Sequence, residues 1–382
     1  MRFDSSADGA ARQMHHRLLL ACWILVVGLA SAGFGPPVMT DGGFPPLRLG
    51  PDELARLTAV EEPPELTAKS ALLMDQDSGR TLFALNPDEP LPPASTAKMM
   101  TALIVLQQAD LDDVVTVSET AAATSGSRMG LSAGQTLTVR ELLYGLLLPS
   151  GNDAAVALAE HVAGSEADFV ELMNRQAEIL GLQATHFAGP HGMDADGQTS
   201  SAADLLIVAQ AALQYPVFAQ MVATQSAEAG GLALTNTNEL LGAYPGADGI
   251  KTGTSDAGGE CLVASVTRQG HRLLAVVLGS QDRYADVRAM LDFAASSWRW
   301  TATALPDNRL AWAAGADGKL YRLKTPKADD IFLPAWQRPL VQPIRRLDAS
   351  VPLTSTLPVG ELQWVLAGET LASTPLTVWH GP

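Results

Sequence analysis

Three short segments carry residues whose types and spacing could cut an amide bond by nucleophilic catalysis. The first places Ser95 and Lys98 three residues apart, after two prolines and before the apolar stretch MMTALIVL. Residues i and i+3 share one face of a helix, so the amine can reach the hydroxyl. Serine needs an adjacent base to become a good nucleophile, and lysine is one when burial or nearby positive charge lowers its pKa. By itself, the pair is more often a capping serine beside a surface lysine.

The second segment is LLLPSGNDAA, in which Ser150 and Asn152 stand between two helical patterns. A loop at this place projects both side chains. Ser150 would relay a proton to a leaving amine, and Asn152 would grip a peptide group through its donor and its acceptor. The alternative is a simple helix break, with Asn152 or Asp153 as the N-cap.

The third segment, GADGIKTGTSDAGG, begins an extended pattern with Lys251, Thr252, Gly253 and Thr254. Glycine within a strand lets a ligand approach the backbone closely. The amine of Lys251 and the two threonine hydroxyls form a cationic, donor-rich edge suited to a carboxylate. Such a tripeptide is weak evidence when it stands alone.

Together the segments form the S-x-x-K, S-x-N-type and K-T-G set shared by β-lactamases and penicillin-binding proteins. Their order fits as well: a helix start, an interhelical loop and a strand. The chain resembles the low-molecular-mass penicillin-binding proteins that are serine D-Ala-D-Ala carboxypeptidases, the peptidase S11 family. The stretches PASTAKMMTAL, SRMGLSAGQTLTVRELLYGLLLPSGNDAA, THFAGPHGMDADGQTSSAADL and DGIKTGTSDAGGECLVAS carry this resemblance over roughly residues 65–300. The C-terminal region is similar to the family's second domain.

The resemblance implies a mechanism. Ser95 attacks the carbonyl between two terminal D-alanines of a peptidoglycan stem peptide, and Lys98 takes its proton. The backbone N–H groups of Ser95 and Thr254 form the oxyanion hole. Ser150 passes a proton to the departing D-alanine, Asn152 holds the substrate amide, and water then releases the shortened peptide from Ser95.

The resemblance also implies the partners. Lys251, Thr252 and Thr254, with Gly253 between them, bind the terminal carboxylate of stem peptides that end in D-Ala-D-Ala. β-Lactam antibiotics act as covalent inhibitors, and neither a cofactor nor a metal is expected. Two departures stand out: Ala203 replaces an arginine frequent in close relatives, and no Lys or Arg follows Arg346 to build a basic amphipathic C-terminal membrane anchor.

Other functions compete with this interpretation. A β-lactamase, or a D,D-endopeptidase on the same scaffold, is the nearest. A β-lactamase needs a carboxylate for fast deacylation, and Glu171 with Asn174 suggests one, but both lie in an amphipathic helical pattern. No G-x-S-x-G elbow supports a Ser-His-Asp hydrolase. A non-enzymatic wall-binding protein conflicts with the intact nucleophile and base.

A zinc D,D-peptidase is a further alternative, because the segment THFAGPHGMDADG is rich in metal-ligating residue types. Its candidate ligands are His186, His191, Asp194 and Asp196. A loop whose polar groups stabilise its own turn is the preferred interpretation, since the serine segments already account for a site.

Composition narrows the class of protein. The chain has 382 residues, enough for two domains. A hydrophobic content of 47% with 17% charged residues is typical of globular proteins. The net charge of −16 argues against nucleic acid or anionic lipid as the main partner. Two cysteines, Cys22 and Cys261, cannot build a disulfide framework, and Cys261 is expected to be a small buried hydrophobe.

The N-terminus has the pattern of an export signal. A basic segment through Arg17 precedes an apolar run from Leu18 to Ala30, which ends in Ala30-Ser31-Ala32. Residues 1–32 are therefore interpreted as a signal peptide or an uncleaved signal anchor, and residues 33–64 as a linker. We expect an exported protein, in the periplasm or on the outer face of the cytoplasmic membrane.

The elements that must position the three segments change in type along the chain. Two strand-like runs surround Asp77-Ser78-Gly79, helical patterns cover roughly 95–109, 138–148, 153–163, 166–180 and 201–213, and three extended runs then precede the helical stretch DVRAMLDFAASSWRW. This order predicts an α+β fold, an antiparallel sheet with a helical cluster of the β-lactamase/transpeptidase type. The catalytic domain is predicted at 65–302, and a small β-rich domain at 303–382.

Overall fold

The computed structural model describes residues 50, 52–53, 62–326 and 330–380. The predicted signal segment, 1–32, and most of the predicted linker, 33–64, lie outside the described residues. Contacts divide the chain into a compact unit Glu62–Ser297 and a second unit that takes in the chain from Trp298 onward.

The first unit is built on a five-stranded antiparallel sheet. Its strands are β1 (Ser70–Asp75), β2 (Arg80–Leu85), β7 (Ala247–Ser255), β8 (Gly259–Arg268) and β9 (His271–Ser280), and two small ribbons pair β3 (Val114–Thr116) with β4 (Thr136–Thr138) and β5 (Ser226–Ala229) with β6 (Leu232–Thr235). The sheet order is β2-β1-β9-β8-β7. The predicted hairpin and the three later strands are confirmed, and β7, which carries the Lys-Thr-Gly segment, forms an edge.

The helices of this unit are α1 (Lys98–Gln108), α2 (Glu119–Ala123), α3 (Val139–Leu147), α4 (Asn152–Ala163), α5 (Glu166–Ile179), α6 (Ala202–Leu213), α7 (Pro216–Val222) and α8 (Arg283–Ser297). Their ends follow local sequence signals. Thr138 and Glu141 form a capping box at α3. At α6, the Ser201 side chain accepts from the backbone N–H of Asp204, and the Asp204 carboxylate accepts from the N–H groups of Gln183 and Ala184.

The core lies between the sheet and the helical cluster. Alternate residues of β9, Leu274, Val276 and Leu278, join the buried residues of α1, α3, α4 and α6 in one cluster. Side chains one residue along a strand point to the opposite face. That second face is covered by α8, which packs on β8 and β9 and buries Val287 and Met290. A sheet buried on both faces holds its edge strand in a fixed position.

One predicted boundary is wrong. The helical pattern DVRAMLDFAASSWRW was expected to continue through Trp300, but α8 ends at Ser297, and Trp298–Thr301 form the strand β10. β10 pairs with β13 (Ile331–Pro334), and the Trp298 ring stacks on Phe332 at 5.4 Å. Aromatic residues favour strands when cross-strand partners exist. The second unit therefore begins directly at the end of α8.

The second unit is β-rich. Besides the β10–β13 pair, its strands are β11 (Trp312–Ala314), β12 (Leu320–Lys324), β14 (Gln342–Leu347), β15 (Gly360–Leu366) and β16 (Glu369–Val378). They form one sheet in the order β11-β12-β16-β15-β14. Alternating residues such as Leu362, Trp364 and Leu376 bury its core.

Among the helices of the described segments, no single one is long and apolar enough to cross a bilayer. By length and composition, α6 and α7 taken together, bent at 114° to each other, would be.

Burial of Cys261 gives a testable expectation. Its side chain is fully buried in β8, and burial raises the pKa of the thiol to about 11. In a Cys22→Ser background we expect no reaction of native protein with a thiol reagent at pH 8, and one equivalent after unfolding in urea. A native thiol that reacts within seconds would contradict the packing of β8 against the core.

Candidate active site

The turn that carries Ser95 is a 3₁₀ helix, Ala94–Ala97, that leads directly into α1. Pro93 begins the turn, and the Thr96 hydroxyl donates to the Pro93 carbonyl at 2.6 Å. Ala94 has a φ of +47°, a conformation that is uncommon for residues with a Cβ. The rigid prolines and this strained residue present Ser95 half-buried at the N-terminal end of α1.

Lys98 is fully buried, and its amine has three oxygen partners. Nζ donates to Ser95 Oγ at 2.8 Å, to Asn152 Oδ1 at 2.7 Å and to the backbone oxygen of His191 at 2.6 Å. Burial lowers the pKa of Lys98 well below its usual value, and the charge of Lys251 lowers it further. The buried carboxylate of Asp153 acts in the opposite direction.

These contacts define what a neutral Lys98 can do. A neutral amine has two N–H donors and one lone pair. Because Asn152 Oδ1 and the His191 carbonyl can only accept, they receive the two N–H groups. The lone pair is then directed at Ser95 Oγ, where it can take the hydroxyl proton. The spacing prediction is confirmed in its geometry: Ser95 and Lys98 are in direct contact, and the lysine is buried.

The Ser-Gly-Asn segment connects α3 to α4. Ser150 has a φ of +66°, and its hydroxyl is buried with no hydrogen-bond partner among the described residues. The middle residue must be small, since a Cβ on Gly151 would lie 2.8 Å from the Met129 nitrogen and 2.9 Å from the Gly145 oxygen. Gly151 is also the N-cap of α4, without a side-chain cap. A larger middle residue would not fit here.

Asn152 is the first residue of α4 and is almost fully buried. Its Oδ1 receives Lys98, and its Nδ2 donates to the Ser125 oxygen at 2.7 Å. An asparagine amide offers two N–H donors, and this bond uses one of them. Neither Asn152 nor Asp153 caps the helix, which excludes the capping alternative.

Asp153 anchors the loop that contacts Asn152. Its buried carboxylate accepts from the backbone N–H groups of Met129, Gly130 and Leu131 at 2.8–3.0 Å. The same loop supplies the Ser127 oxygen, which accepts from the Asn152 backbone N–H at 2.7 Å. The sequence pattern drew attention to Asp153 only as a cap, because its partners lie more than twenty residues away along the chain.

The edge strand β7 lies against the nucleophile turn at Gly253. A Cβ at this position would stand 2.9 Å from the Ser95 nitrogen and 3.0 Å from the Ala94 Cβ. We expected Gly253 to admit a ligand to the backbone. In the structure it lets the chain's own turn approach, and Gly253 also lines the cleft beside Ser95 together with Thr252 and Thr254.

Lys251 is part of this strand, two residues before Gly253 and therefore on the same face. It is almost fully buried, and Nζ donates to the Thr252 oxygen at 3.0 Å. Burial, together with the charge of Arg283, lowers the pKa of Lys251 to about 7. Lys251 does not line the cleft beside Ser95, but its charge is close enough to Lys98 to lower the pKa of that residue.

The cleft beside Ser95 has a volume of about 530 Å³. Of the predicted residues, Ser95, Ser150, Thr252, Gly253 and Thr254 line it. Lys98, Asn152 and Lys251 stand behind the lining. The other residues that line the cleft come from one loop, with Ser127, and from three segments later in the chain. Those segments supply Thr237 and Glu239, then Glu260, and then Gln281, Asp282, Arg283 and Tyr284.

Arg283 is the principal residue of this cleft that sequence reasoning missed. Its guanidinium donates to the Gly253 oxygen at 2.6 Å, the Cys261 oxygen at 3.2 Å and Thr254 Oγ1 at 2.5 Å, and it pairs with Glu260 at 3.2 Å. It stabilises the edge of β7 and adds a cation to the cleft. No sequence motif marks Arg283, which is the first residue of α8. This residue comes near β7 only because of the order in which the strands are arranged in the sheet.

The two residues considered for a β-lactamase, Glu171 and Asn174, have other surroundings. Glu171 is exposed on α5, and the Asn174 side chain bonds to both backbone groups of Phe187. Neither residue lines the cleft beside Ser95.

The residues considered as zinc ligands also contact different parts of the chain. His186 Nδ1 lies 3.2 Å from the Gly197 oxygen, His191 pairs with Glu166, and Asp194 accepts from the Ala257 N–H. Within the described ranges, histidine, cysteine and acidic side chains form no group of three or more suited to a metal ion.

Asp153→Asn tests the loop anchor. An amide keeps one acceptor but turns an NH₂ group toward N–H donors, which leaves buried groups unpaired. We expect the free energy of unfolding in urea to fall by roughly 2–4 kcal/mol. The matched control is Asp112→Asn, at an exposed position, for which a change within about 0.5 kcal/mol is expected. Equal unfolding midpoints for both variants would contradict the anchor.

Comparison with known proteins identifies relatives across this unit. The profile of the D-alanyl-D-alanine carboxypeptidase family, peptidase S11, matches residues 57–282. D-alanyl-D-alanine carboxypeptidase DacF of Bacillus subtilis is 41% identical over 244 residues, which are 60% of this chain and 63% of the relative. D-alanyl-D-alanine carboxypeptidase DacA of Escherichia coli is 33% identical over 367 residues, 86% of each chain. The chain thus spans under two thirds of DacF and most of DacA.

Solved structures agree with the fold. Penicillin binding protein 6B from Escherichia coli superposes with a TM-score of 0.66 at 33% identity, over 82% of this chain and 96% of that one. Penicillin binding protein 5 from Haemophilus influenzae gives 0.64 at 31%, over 83% and 98%. The predicted α+β fold with a β-rich C-terminal region is confirmed. With the profile match over more than half of its length, this chain belongs to the D-alanyl-D-alanine carboxypeptidase family, peptidase S11.

Proposed function

We propose that this chain is a serine D-Ala-D-Ala carboxypeptidase that removes the terminal D-alanine from peptidoglycan stem peptides. The observation that carries the proposal is the buried Lys98 amine, 2.8 Å from Ser95 Oγ and in a family of known peptidases. The lysine provides a base for the serine, and the cleft beside Ser95 provides room for a peptide end.

The acylation step follows from these groups. The Ser95 hydroxyl gives its proton to the Lys98 lone pair while Oγ bonds to the carbonyl carbon between the two D-alanines. The backbone N–H groups of Ser95 and Thr254 would stabilise the oxyanion. When the C–N bond breaks, the departing amine takes a proton through Ser150, whose buried hydroxyl has no protein partner among the described residues. Water then hydrolyses the Ser95 ester.

Preference for a chain end follows from the charge at the edge of β7. Thr252, Thr254 and Arg283 line the cleft, and the buried Lys251 lies on the face of β7 that packs against the Ser95 turn. A terminal carboxylate would offset the repulsion among these cations, whereas an internal peptide bond would not. This charge favours a carboxypeptidase over a D,D-endopeptidase.

The setting of the reaction is part of the proposal. The basic and apolar pattern of residues 1–32 supports export, to the periplasm or the outer face of the cytoplasmic membrane. Stem peptides that end in D-Ala-D-Ala would be the substrates there, and β-lactams would acylate Ser95.

The first test is release of D-alanine. Purified protein is incubated with a stem pentapeptide ending in D-Ala-D-Ala, with the same peptide as its C-terminal amide, and with a cross-linked dimer. We expect release from the free acid, at least about tenfold slower reaction of the amide, and loss of at least about 10³-fold in Ser95→Ala. Faster cleavage of the dimer would favour the endopeptidase.

Labelling of Ser95 with a penicillin provides the control for the D-alanine assay. A fluorescent penicillin should form a covalent adduct on Ser95, located by mass spectrometry and absent from Ser95→Ala. Rapid turnover of the penicillin would favour a β-lactamase. Neither adduct nor turnover would overturn the enzyme assignment in favour of a wall-binding protein.

The pH dependence of kcat/KM is a separate prediction. Lys98 must be neutral to accept a proton, so activity rises with pH through its lowered pKa, far below 10.5. Lys251 must be charged to attract a carboxylate, so activity falls as pH passes about 7, its pKa in the free enzyme. The falling limb should be absent for the C-terminal amide. A single rise toward pH 10 would contradict both assignments.

A further inference from the structure

The third partner of Lys98 comes from an irregular segment. Asn152 Oδ1 is held by the start of α4, but the His191 oxygen belongs to a stretch between α5 and α6 that has no regular helix. A carbonyl 2.6 Å from the lysine amine must keep its place if the lone pair is to point at Ser95. The contacts of the His191 side chain therefore affect the orientation of the Lys98 amine, the proposed base.

Both nitrogens of the His191 ring are occupied. Nδ1 accepts from the backbone N–H of Met193 at 3.2 Å, and Nε2 lies 3.3 Å from Glu166 Oε1. Since Nδ1 accepts, the neutral ring carries its proton on Nε2 and donates it to the Glu166 carboxylate. That hydrogen bond lowers the pKa of Glu166. A ring bonded on both sides cannot rotate, and it restrains the peptide groups next to it.

Glu166 is itself held by regular structure. It is the first residue of α5, directly after Ser165, whose side chain caps that helix. On the other side, the segment packs tightly on the nucleophile turn: a Cβ on Gly192 would lie 2.1 Å from the Ala94 oxygen. The His191 carbonyl is thus fixed between α5 and the turn that carries Ser95.

We propose that Glu166 is a positioning residue for acylation: through His191 it fixes the backbone carbonyl that orients the Lys98 amine toward Ser95. The inference rests on the proposed function and extends it. Glu166 touches neither substrate nor nucleophile, and its carboxylate acts as a hydrogen-bond acceptor. A glutamine at the same place keeps that acceptor, whereas an alanine removes it.

The test measures acylation of Ser95 by a fluorescent penicillin in a rapid-mixing instrument. The saturating rate constant and the concentration at half-saturation are obtained for the full chain and for Glu166→Gln, Glu166→Ala and Glu171→Ala, the last being an exposed glutamate of the same helix. We expect Glu166→Ala to lower the rate constant about tenfold with half-saturation unchanged. Glu166→Gln should stay within about twofold of the original, and Glu171→Ala should match it.

Partial unfolding is distinguished from mispositioning by the amplitude. The rate constant refers to each labelled Ser95, so unfolded molecules lower the labelled fraction and leave the rate constant unchanged. His191→Ala and the double variant complete a cycle, in which Glu166→Ala should cost nothing further once His191 is absent.

Three results would overturn the inference while the proposed function stands. They are an unchanged rate constant in Glu166→Ala, an equal loss in Glu166→Gln, and a loss in amplitude alone. An original chain that is not labelled at Ser95 would overturn the proposed function and the inference together.

Discussion

Removal of the Lys98 amine from water is the constraint on which the rest of the site depends. A buried ammonium is costly unless oxygens surround it, and here they come from the nucleophile turn, the start of α4 and the His191 carbonyl. Apolar residues of α1 exclude water, and the nearby Lys251 disfavours a second positive charge. Burial and the charge of Lys251 both lower the pKa of Lys98 and so favour the neutral amine, which is a base.

Burial and nearby charge also act on the two cations at β7, Lys251 and Arg283, but with a different outcome. Lys251 and Arg283 lie close enough for one to lower the pKa of the other. Their repulsion is relieved when an anion enters the cleft beside Ser95. Glu260 and two backbone carbonyls accept hydrogen bonds from Arg283 and offset part of this charge. An enzyme that acts on a free chain end can use such an unbalanced edge for recognition.

Close packing of backbone on backbone sets the distances between these groups. Gly253 lets β7 reach the turn of Ser95, Gly151 lets the Ser-Gly-Asn segment reach the Met129 loop, and Gly192 lets the His191 segment rest on Ala94. Each place has less room than a methyl group needs. Two of the segments that these glycines let pack closely, the Ser-Gly-Asn segment and the His191 segment, supply oxygen partners to Lys98.

The sequence by itself determined what depends on local spacing. The Ser95–Lys98 pair, the position of Ser150 between two helices and the extended Lys-Thr-Gly segment follow from helix and strand periods, and so do most helix and strand bounds. Only the tertiary structure decided what depends on long-range packing. The contact of Arg283 with β7 needs the order of the sheet. The end of α8 at Ser297 needs the pairing of its next strand, and the tie from Glu166 to the lysine runs through a backbone carbonyl. A carbonyl is present at every residue, so no pattern of side chains can reveal which one is used.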